Sequence, residues 1–337
     1  MKFYWLISIL CVSACSYRDT EQEPLLQSPV KPIFFDPPTN SHVGFDVDGV
    51  LHTHVWYGRN AKGELGQFHP LTAHNENFSG RGRNPAIKAL ATEWGTKNNT
   101  FSLVTHNLAF CSAPEAEKEH FLAESGLPST LSSASCISNQ QPKSKTIKKE
   151  KITAFVDDSP IVLQEIAYGA PAVRLYMAFP HHQAVAPYAH RSPLEIERCG
   201  MVLVSQDAAS KKNQVLLQHD AMTTRWKIPS GDCDATLNRH KACTEATPCE
   251  DPVTATLRIF QQEPGISTPI QLSSAPRLEV LHVDSLFLLL VKVADTVVNP
   301  GFQWFTIKDL KSKKMKPDLN PHVSLLIHEY EKNWKEL

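Results

Sequence analysis

Two aspartates separated by one residue, Asp46 and Asp48, close the short apolar run that begins at His42. Along an extended strand residues i and i+2 share a face, so both carboxylates are expected to project together from the strand's carboxyl end. Open α/β sheets bind ligands at that edge. Two further apolar runs end in the same manner. Phe101 to Asn107 delivers the hydroxyl of Thr105, and Ile152 to Ser159 delivers the adjacent carboxylates of Asp157 and Asp158. Acidic side chains and a hydroxyl gathered at one sheet edge could carry acid-base chemistry and supply oxygen ligands to a hard cation.

The segments between these runs must hold them in one sheet. Helical stretches are predicted over Asn84 to Lys97, Ala113 to Ser125 and Pro160 to Tyr168, and a further strand over Ala172 to Met177. Strands alternating with helices at this spacing predict an α/β fold with a doubly wound parallel sheet.

The motifs FDVDGV, LVTHN, a lysine and FVDDSP, in that order and each strand motif at a strand end, resemble those of the haloacid dehalogenase-like (HAD) phosphohydrolase superfamily over about residues 40 to 185. The resemblance implies that Asp46 attacks phosphorus and forms an aspartyl-phosphate, while Asp48 protonates the leaving oxygen and later deprotonates the attacking water. It also implies that Thr105 and a lysine stabilise the transferring phosphoryl group. Carboxylates clustered this tightly cannot all ionise without a cation. The resemblance supplies Mg²⁺, held by Asp46, the backbone carbonyl of Asp48 and Asp158, with Asp157 orienting that shell or serving as a ligand itself. The alternative is an inactive scaffold that keeps these acids for structure.

Lys143, Lys145, Lys148, Lys149 and Lys151 crowd the approach to the third strand. Lys145, at the expected start of the preceding helix, is the preferred phosphate-binding lysine, with Lys143 second and the rest on a solvated face. Residues 52 to 83 leave room for a flap and a small cap. Within them Arg81 and Arg83 would clamp a second anion or stay solvated. His52, His54, His69 and His74 fit no metal spacing and are expected to pack on the surface or in the flap.

From Cys199 the pattern changes. Gly200 to Ser205 and Gln214 to His219 read as strands, Trp226 to Gly231 as a turn, and Asp251 to Glu263 as a helix. This order, with a late Phe302 to Leu310 segment and a terminal helix, resembles the α/β/α Nudix hydrolase fold over about residues 197 to 337. The Nudix box reads G-x5-E-x7-R-E-U-x-E-E-x-G-U, where U is aliphatic. Glu250 and Arg258 keep its spacing, and Gly265-Ile266 closes it. Where the box has Arg-Glu-U-x-Glu-Glu, however, this chain has Arg258-Ile259-Phe260-Gln261-Gln262-Glu263, and Gly231 stands much farther from Glu250 than the box allows. With Ile259 and Gln262 in place of metal-binding carboxylates, the second half is expected to bind or orient a ligand rather than cleave it.

The resulting organisation is a leader over 1–15, a tether over 16–40, a HAD-like phosphatase domain over 41–195 and a Nudix-like domain over 197–337. The expected function is Mg²⁺-dependent phosphomonoester hydrolysis on a small phosphorylated substrate, such as a nucleotide, with the second half aiding binding. The alternatives are a nucleotide-derivative binding module and a bifunctional enzyme that splits a nucleoside diphosphate derivative before removing its phosphate.

Composition narrows the partners. Lys and Arg number 34 against 35 Asp and Glu, a formal charge of −1, so no basic excess exists to grip a nucleic acid by its phosphates. Residues 1 to 15 combine Lys2, an apolar run from Phe3 to Val12 and small residues before Cys15, the layout of a secretory signal. That run is about half of the roughly 20 residues a spanning helix needs. Val12-Ser13-Ala14-Cys15 resembles a bacterial lipobox, so the chain is expected to be exported, as a periplasmic or outer-membrane lipoprotein acylated at Cys15 or as a plainly secreted protein. Of eight cysteines, six lie beyond Cys15, an even number in an oxidising compartment. Cys111 with Cys136 is the pair expected in the first half, and Cys233, Cys243 and Cys249 suggest an oxidised loop in the second.

Overall fold

The computed structural model describes residues 38–53, 56–59, 65–68, 83–128, 131–138, 141–182, 184–190, 196–206, 212–233, 250–262, 272, 277–283, 285–293, 301–312 and 318–330. The leader, most of the tether, Arg81, His54, His69, His74, Cys243, Cys249, Glu263, Gly265 and Ile266 lie outside them. The first half runs β1 (His42–Phe45), β2 (Trp56–Arg59), β3 (Leu65–Phe68), α1 (Pro85–Gly95), β4 (Thr100–Thr105), α2 (Leu108–Ser112), α3 (Glu115–Glu124), β5 (Ser133–Cys136), α4 (Lys143–Lys149), β6 (Ala154–Asp157), α5 (Pro160–Gly169), β7 (Arg174–Phe179) and β8 (Ala184–His190). The second runs β9 (Arg198–Gln206), β10 (Asn213–Asp220), β11 (Arg225–Lys227), β12 (Ser230–Asp232), α6 (Pro252–Gln262), β13 (Arg277–Val283), β14 (Leu286–Lys292), β15 (Phe302–Thr306), α7 (Ile307–Leu310) and α8 (Pro321–Tyr330).

Strand order in the first half is β5-β4-β1-β6-β7, every pair parallel. The period-2 alternation of side chains sorts this sheet into two apolar faces. Val43, Phe45, Phe101, Leu103, Ala154 and Val156 pack with Ile87, Ala91 and Trp94 of α1 and with Phe121 and Leu122 of α3. The intervening Val104 and Phe155 face Ile147 of α4 and Leu163 and Ile166 of α5. A parallel sheet covered on both sides explains why its strands read as near-continuous apolar runs. Gly44 is required by this packing, since a Cβ there would meet the Phe155 ring at 2.5 Å. Local signals start the helices. The Asn84 side chain accepts from Ala86 N at the head of α1, and Pro85 and Pro160 occupy the first helical positions of α1 and α5.

Beyond β7 the sheet turns mixed. β8 is antiparallel to β7 and parallel to β13, β13 is antiparallel to β14, and β14 runs parallel to β9. β10 and β11 complete the main path, with β12 on β9 and β15 on β10, giving one 13-stranded sheet. The sequence reading divides the chain near residue 196, yet both sheet and core continue across that point. One cluster joins Phe155, Leu163 and Phe179 to Met201, Ile259 and Phe287. The opposite face of the second half is closed by Leu310 and by Val323, Leu326 and Ile327 of α8. The described residues form one compact unit. β2 and β3 make a separate antiparallel hairpin after β1, inside the segment read as a flap. Among the described residues no helix is long and apolar enough to cross a membrane.

Candidate active site

Parallel pairing brings the ends of β1, β4 and β6 to one edge, and the chemistry-bearing residues arrive with them. Asp46 N donates to Val156 O at 3.0 Å, which extends the β1–β6 ladder by one residue and fixes the Asp46 backbone. Its side chain is buried, with Oδ2 2.8 Å from Lys143 Nζ. The same ammonium lies 2.8 Å from Asp157 Oδ2, and Asp157 Oδ1 accepts from Ser159 N at 2.9 Å. Asp46, Asp157 and Asp158 each offer a carboxylate oxygen within 4.8 Å of the others, and all three are buried. Asp46 Oδ1 is buried without a hydrogen-bond partner among the described residues.

Electrostatics follow from this crowding. Burial alone would push Lys143 down, but Asp157 and Asp46 together outweigh it and its pKa rises. Burial raises Asp157 to about 6 against the opposing pull of Lys143. Asp158 is raised by burial first and by the Asp157 and Asp46 charges next. One lysine therefore does not neutralise three acids. An all-carboxylate donor set with an orphaned buried oxygen fits a hard divalent cation such as Mg²⁺.

Asp48 stands apart from these three. Its Oδ1 accepts from His52 Nε2 at 2.8 Å and also from Asn107 Nδ2. Gly49, at φ +67, turns the chain after Asp48, and the amides of Leu51 and His52 both donate to Val47 O. Val50 and Leu51 are anchored in the core, so the loop curls back and carries His52 beneath Asp48. Asn107 caps α2 by accepting from Phe110 N at 2.8 Å, and its own amide donates to Thr105 Oγ1 at 3.0 Å. Thr105 is buried and keeps its hydroxyl proton for a further acceptor. The Cys111–Cys136 disulfide, the expected pair, ties α2 to the end of β5 beside Thr105.

The structure separates the two candidate lysines. Lys145 is exposed on α4, whereas Lys143 is buried between two carboxylates. On a helix the residues that share a face are three or four apart, and Ile147, four beyond Lys143, is fully buried. Lys145 is turned away from that face. The apolar Ile147 inside a lysine run was the available signal. Asp48, expected to offer its backbone carbonyl to the metal, has its side chain outside the acidic trio, engaged by His52 and Asn107. Arg83 forms an ion pair with Glu124 at 2.6 Å and lies 4.1 Å over the Phe121 ring, a structural engagement rather than an anion clamp. His52 is fully buried against an acid rather than lying at the surface.

In the second half the described part of the box holds no metal-ligand set. Arg258 Nε lies 2.9 Å from both oxygens of Glu250 and Arg258 Nη2 lies 2.8 Å from Glu250 Oε2, so this spacing forms a bidentate ion pair. Ile259 belongs to the core, and a Cβ on Gly231 would meet it at 3.3 Å. Cys233, grouped by sequence with Cys243 and Cys249, pairs instead with Cys199.

No family model matches the chain, and no curated protein does. Among solved structures, the Ap4A hydrolase of C. elegans matches at 16% identity and a TM-score of 0.28, covering 41% of this chain and 96% of that one. The Nudix hydrolase RenU of M. smegmatis matches at 15% identity and a TM-score of 0.29, covering 44% and 88%. The NUDIX domain of Shewanella oneidensis NrtR, solved in complex with ADP ribose, matches at 16% identity and a TM-score of 0.27, covering 42% and 90%.

Proposed function

We propose that this chain hydrolyses phosphomonoesters through an aspartyl-phosphate on Asp46, with Mg²⁺ as cofactor. The observation that carries the reading is the convergence of Asp46, Asp157 and Asp158 on one another around Lys143, at the edge where β1, β4 and β6 end. Its order and strand-end placement support the HAD-like resemblance of about residues 40 to 185. Asp46, Asp157 and Asp158 would hold the cation, which when bound offsets charge on the phosphoryl oxygens. The Asp46 carboxylate attacks phosphorus while Lys143 and the Thr105 hydroxyl hold the equatorial oxygens. Asp48 gives a proton to the leaving oxygen and then takes one from the water that cleaves the acyl-phosphate. Assay of the purified mature chain against a panel of phosphomonoesters, with Mg²⁺ or with EDTA, tests the reading. Activity that requires the metal and Asp46 supports it, and a panel with no turnover refutes it.

For the second half we propose non-catalytic binding of the substrate or of a nucleotide derivative. The placement of Ile259 in the core, where the Nudix box has a metal-binding glutamate, favours this over a bifunctional enzyme. The Cys111–Cys136 and Cys199–Cys233 disulfides support export to an oxidising compartment, as a lipoprotein or a secreted protein.

A further inference from the structure

Arg198 opens β9 with a charge that meets no acid. Along the strand Cys199 and Met201 join the core cluster that holds Ile259 and Phe260 of α6, so Arg198 and Gly200 stand on the opposite face with Val202. A Cβ on Gly200 would meet Ser230 Cβ at 2.8 Å and Pro229 O at 2.9 Å. β12 therefore approaches closely and brings the Ser230 hydroxyl beside Arg198, and the Cys199–Cys233 disulfide fixes β9 to the residue that follows β12.

The guanidinium is poorly served there. Arg198 is half-buried, its Nε is sealed from solvent without a hydrogen-bond partner, and its Nη2 reaches only Ser230 O and Ser230 Oγ, both at 3.5 Å. Its neighbours across the ladder are Leu286 of β14 and Asp232 of β12, and the exposed Asp232 forms no ion pair with it. Arg83 and Arg258, also half-buried, each hold a glutamate. A guanidinium presents its donors in a planar fork that matches an oxyanion. Shielding part of it from water without an acceptor costs free energy that the fold recovers when an anion arrives.

We propose that Arg198 and the Ser230 hydroxyl form an oxyanion site that holds a phosphate group of the ligand of the second half, a nucleoside diphosphate or its derivative. This rests on the binding role proposed above for that half. The Ser230 hydroxyl donates to one phosphate oxygen while the guanidinium bridges the others. The site lies on the sheet face opposite α6 and shares no residue with the acids of the first half.

Calorimetric titration of the purified mature chain with ADP, inorganic pyrophosphate and adenosine, in EDTA at pH 7.5, tests this. Without a cation the clustered Asp46, Asp157 and Asp158 repel an anion, which keeps the first half from masking the result. We expect Arg198→Gln to weaken ADP and pyrophosphate about tenfold or more, the scale of charge-assisted hydrogen bonds. Arg198→Lys keeps the charge but loses the fork, so it should recover only part of that loss. Adenosine, which lacks phosphate, should bind wild type and Arg198→Gln alike. The ligand-free melting temperature of Arg198→Gln should be no lower than that of wild type, because its loss leaves no acid unpaired. Wild-type affinity for ADP and pyrophosphate in Arg198→Gln overturns the site and leaves the binding role of the second half standing. Equal weakening of adenosine and ADP together with a lowered melting temperature assigns Arg198 to the fold and overturns the site as well. Wild-type protein that binds neither ADP nor pyrophosphate overturns the binding role, and the site with it.

Discussion

Asp46 and Asp157, far apart in the chain, share one ammonium: Lys143 Nζ lies 2.8 Å from Oδ2 of each. The pairing exists because β1 and β6 are adjacent and parallel, with Phe45 opposite Val156, so the residues that follow them reach the same edge together. Removing one partner from a buried ion cluster leaves uncompensated charge. Lys143→Met should therefore cost about 3–5 kcal/mol of stability in EDTA and abolish turnover. Lys145→Ala, on the exposed face, should stay within about 0.5 kcal/mol of wild type. Urea titration of both variants checks this, and an equal cost at Lys145 would contradict the assignment.

The raised carboxyl groups set the sign of the pH dependence. Asp157 has a folded value of about 6, above the unfolded value of about 3.9, and Asp158 is raised as well, so the folded state binds these protons more tightly. Their contribution to stability is present in full below about pH 4 and is lost as pH rises to about 6 and beyond. In EDTA, wild type should lose melting temperature relative to Asp158→Asn between pH 5 and pH 7.5. Mg²⁺ binds the deprotonated set, so its stabilising shift should be larger at pH 7.5, about 2.7 kcal/mol at a concentration 100 times Kd. A shift as large at pH 5 would speak against these carboxylates as the metal site.

The Cys111–Cys136 bridge closes a loop of sequence separation 25. In the chain-entropy description that is worth about 3.5 kcal/mol. Cys111→Ser with Cys136→Ser should lower stability by about that amount. It should also reduce activity, because α2 carries Asn107 onto Asp48. Full activity in a destabilised variant would separate α2 from the chemistry.

In the second half, Ile259→Glu restores a carboxylate to the Nudix box at a position that is only 8% exposed. Burying an unpaired acid against Gly231 should destabilise the protein by several kcal/mol and generate no diphosphatase activity. Hydrolysis of a nucleoside diphosphate derivative by that variant, or by wild type, would show that the second half is catalytic.

The strand-end acids were legible because a parallel sheet concentrates chemistry where its apolar runs stop. Asp46, Asp48, Thr105, Asp157 and Asp158 were all read that way. What the sequence concealed was partnership across the fold. Lys143 and Lys145 look equivalent in a run of lysines, and only the helical phase set by Ile147 separates them. His52 was one histidine among several, since its contact with Asp48 depends on the turn at Gly49. β8 was missed because Pro187, which marks an edge or a break, lies inside a strand that pairs with Tyr176 on one side while its neighbour Tyr188 pairs with Val280 on the other. Without β8, and with nothing assigned to residues 277–292 where β13 and β14 form, the sheet could not be seen to join the two halves.

The most direct test of the account is a quenched reaction with substrate labelled in its phosphoryl group, run on wild type, Asp46→Asn and Asp48→Asn in Mg²⁺. Asp46→Asn removes the attacking anion, so it should turn over no substrate and retain no label. Asp48→Asn keeps the nucleophile but impairs water activation, a contribution typically of about 10² to 10⁴ in rate, and should accumulate labelled protein from an ester with a good leaving group. Label retained on Asp46→Asn, or turnover by it at the wild-type rate, would contradict the covalent mechanism.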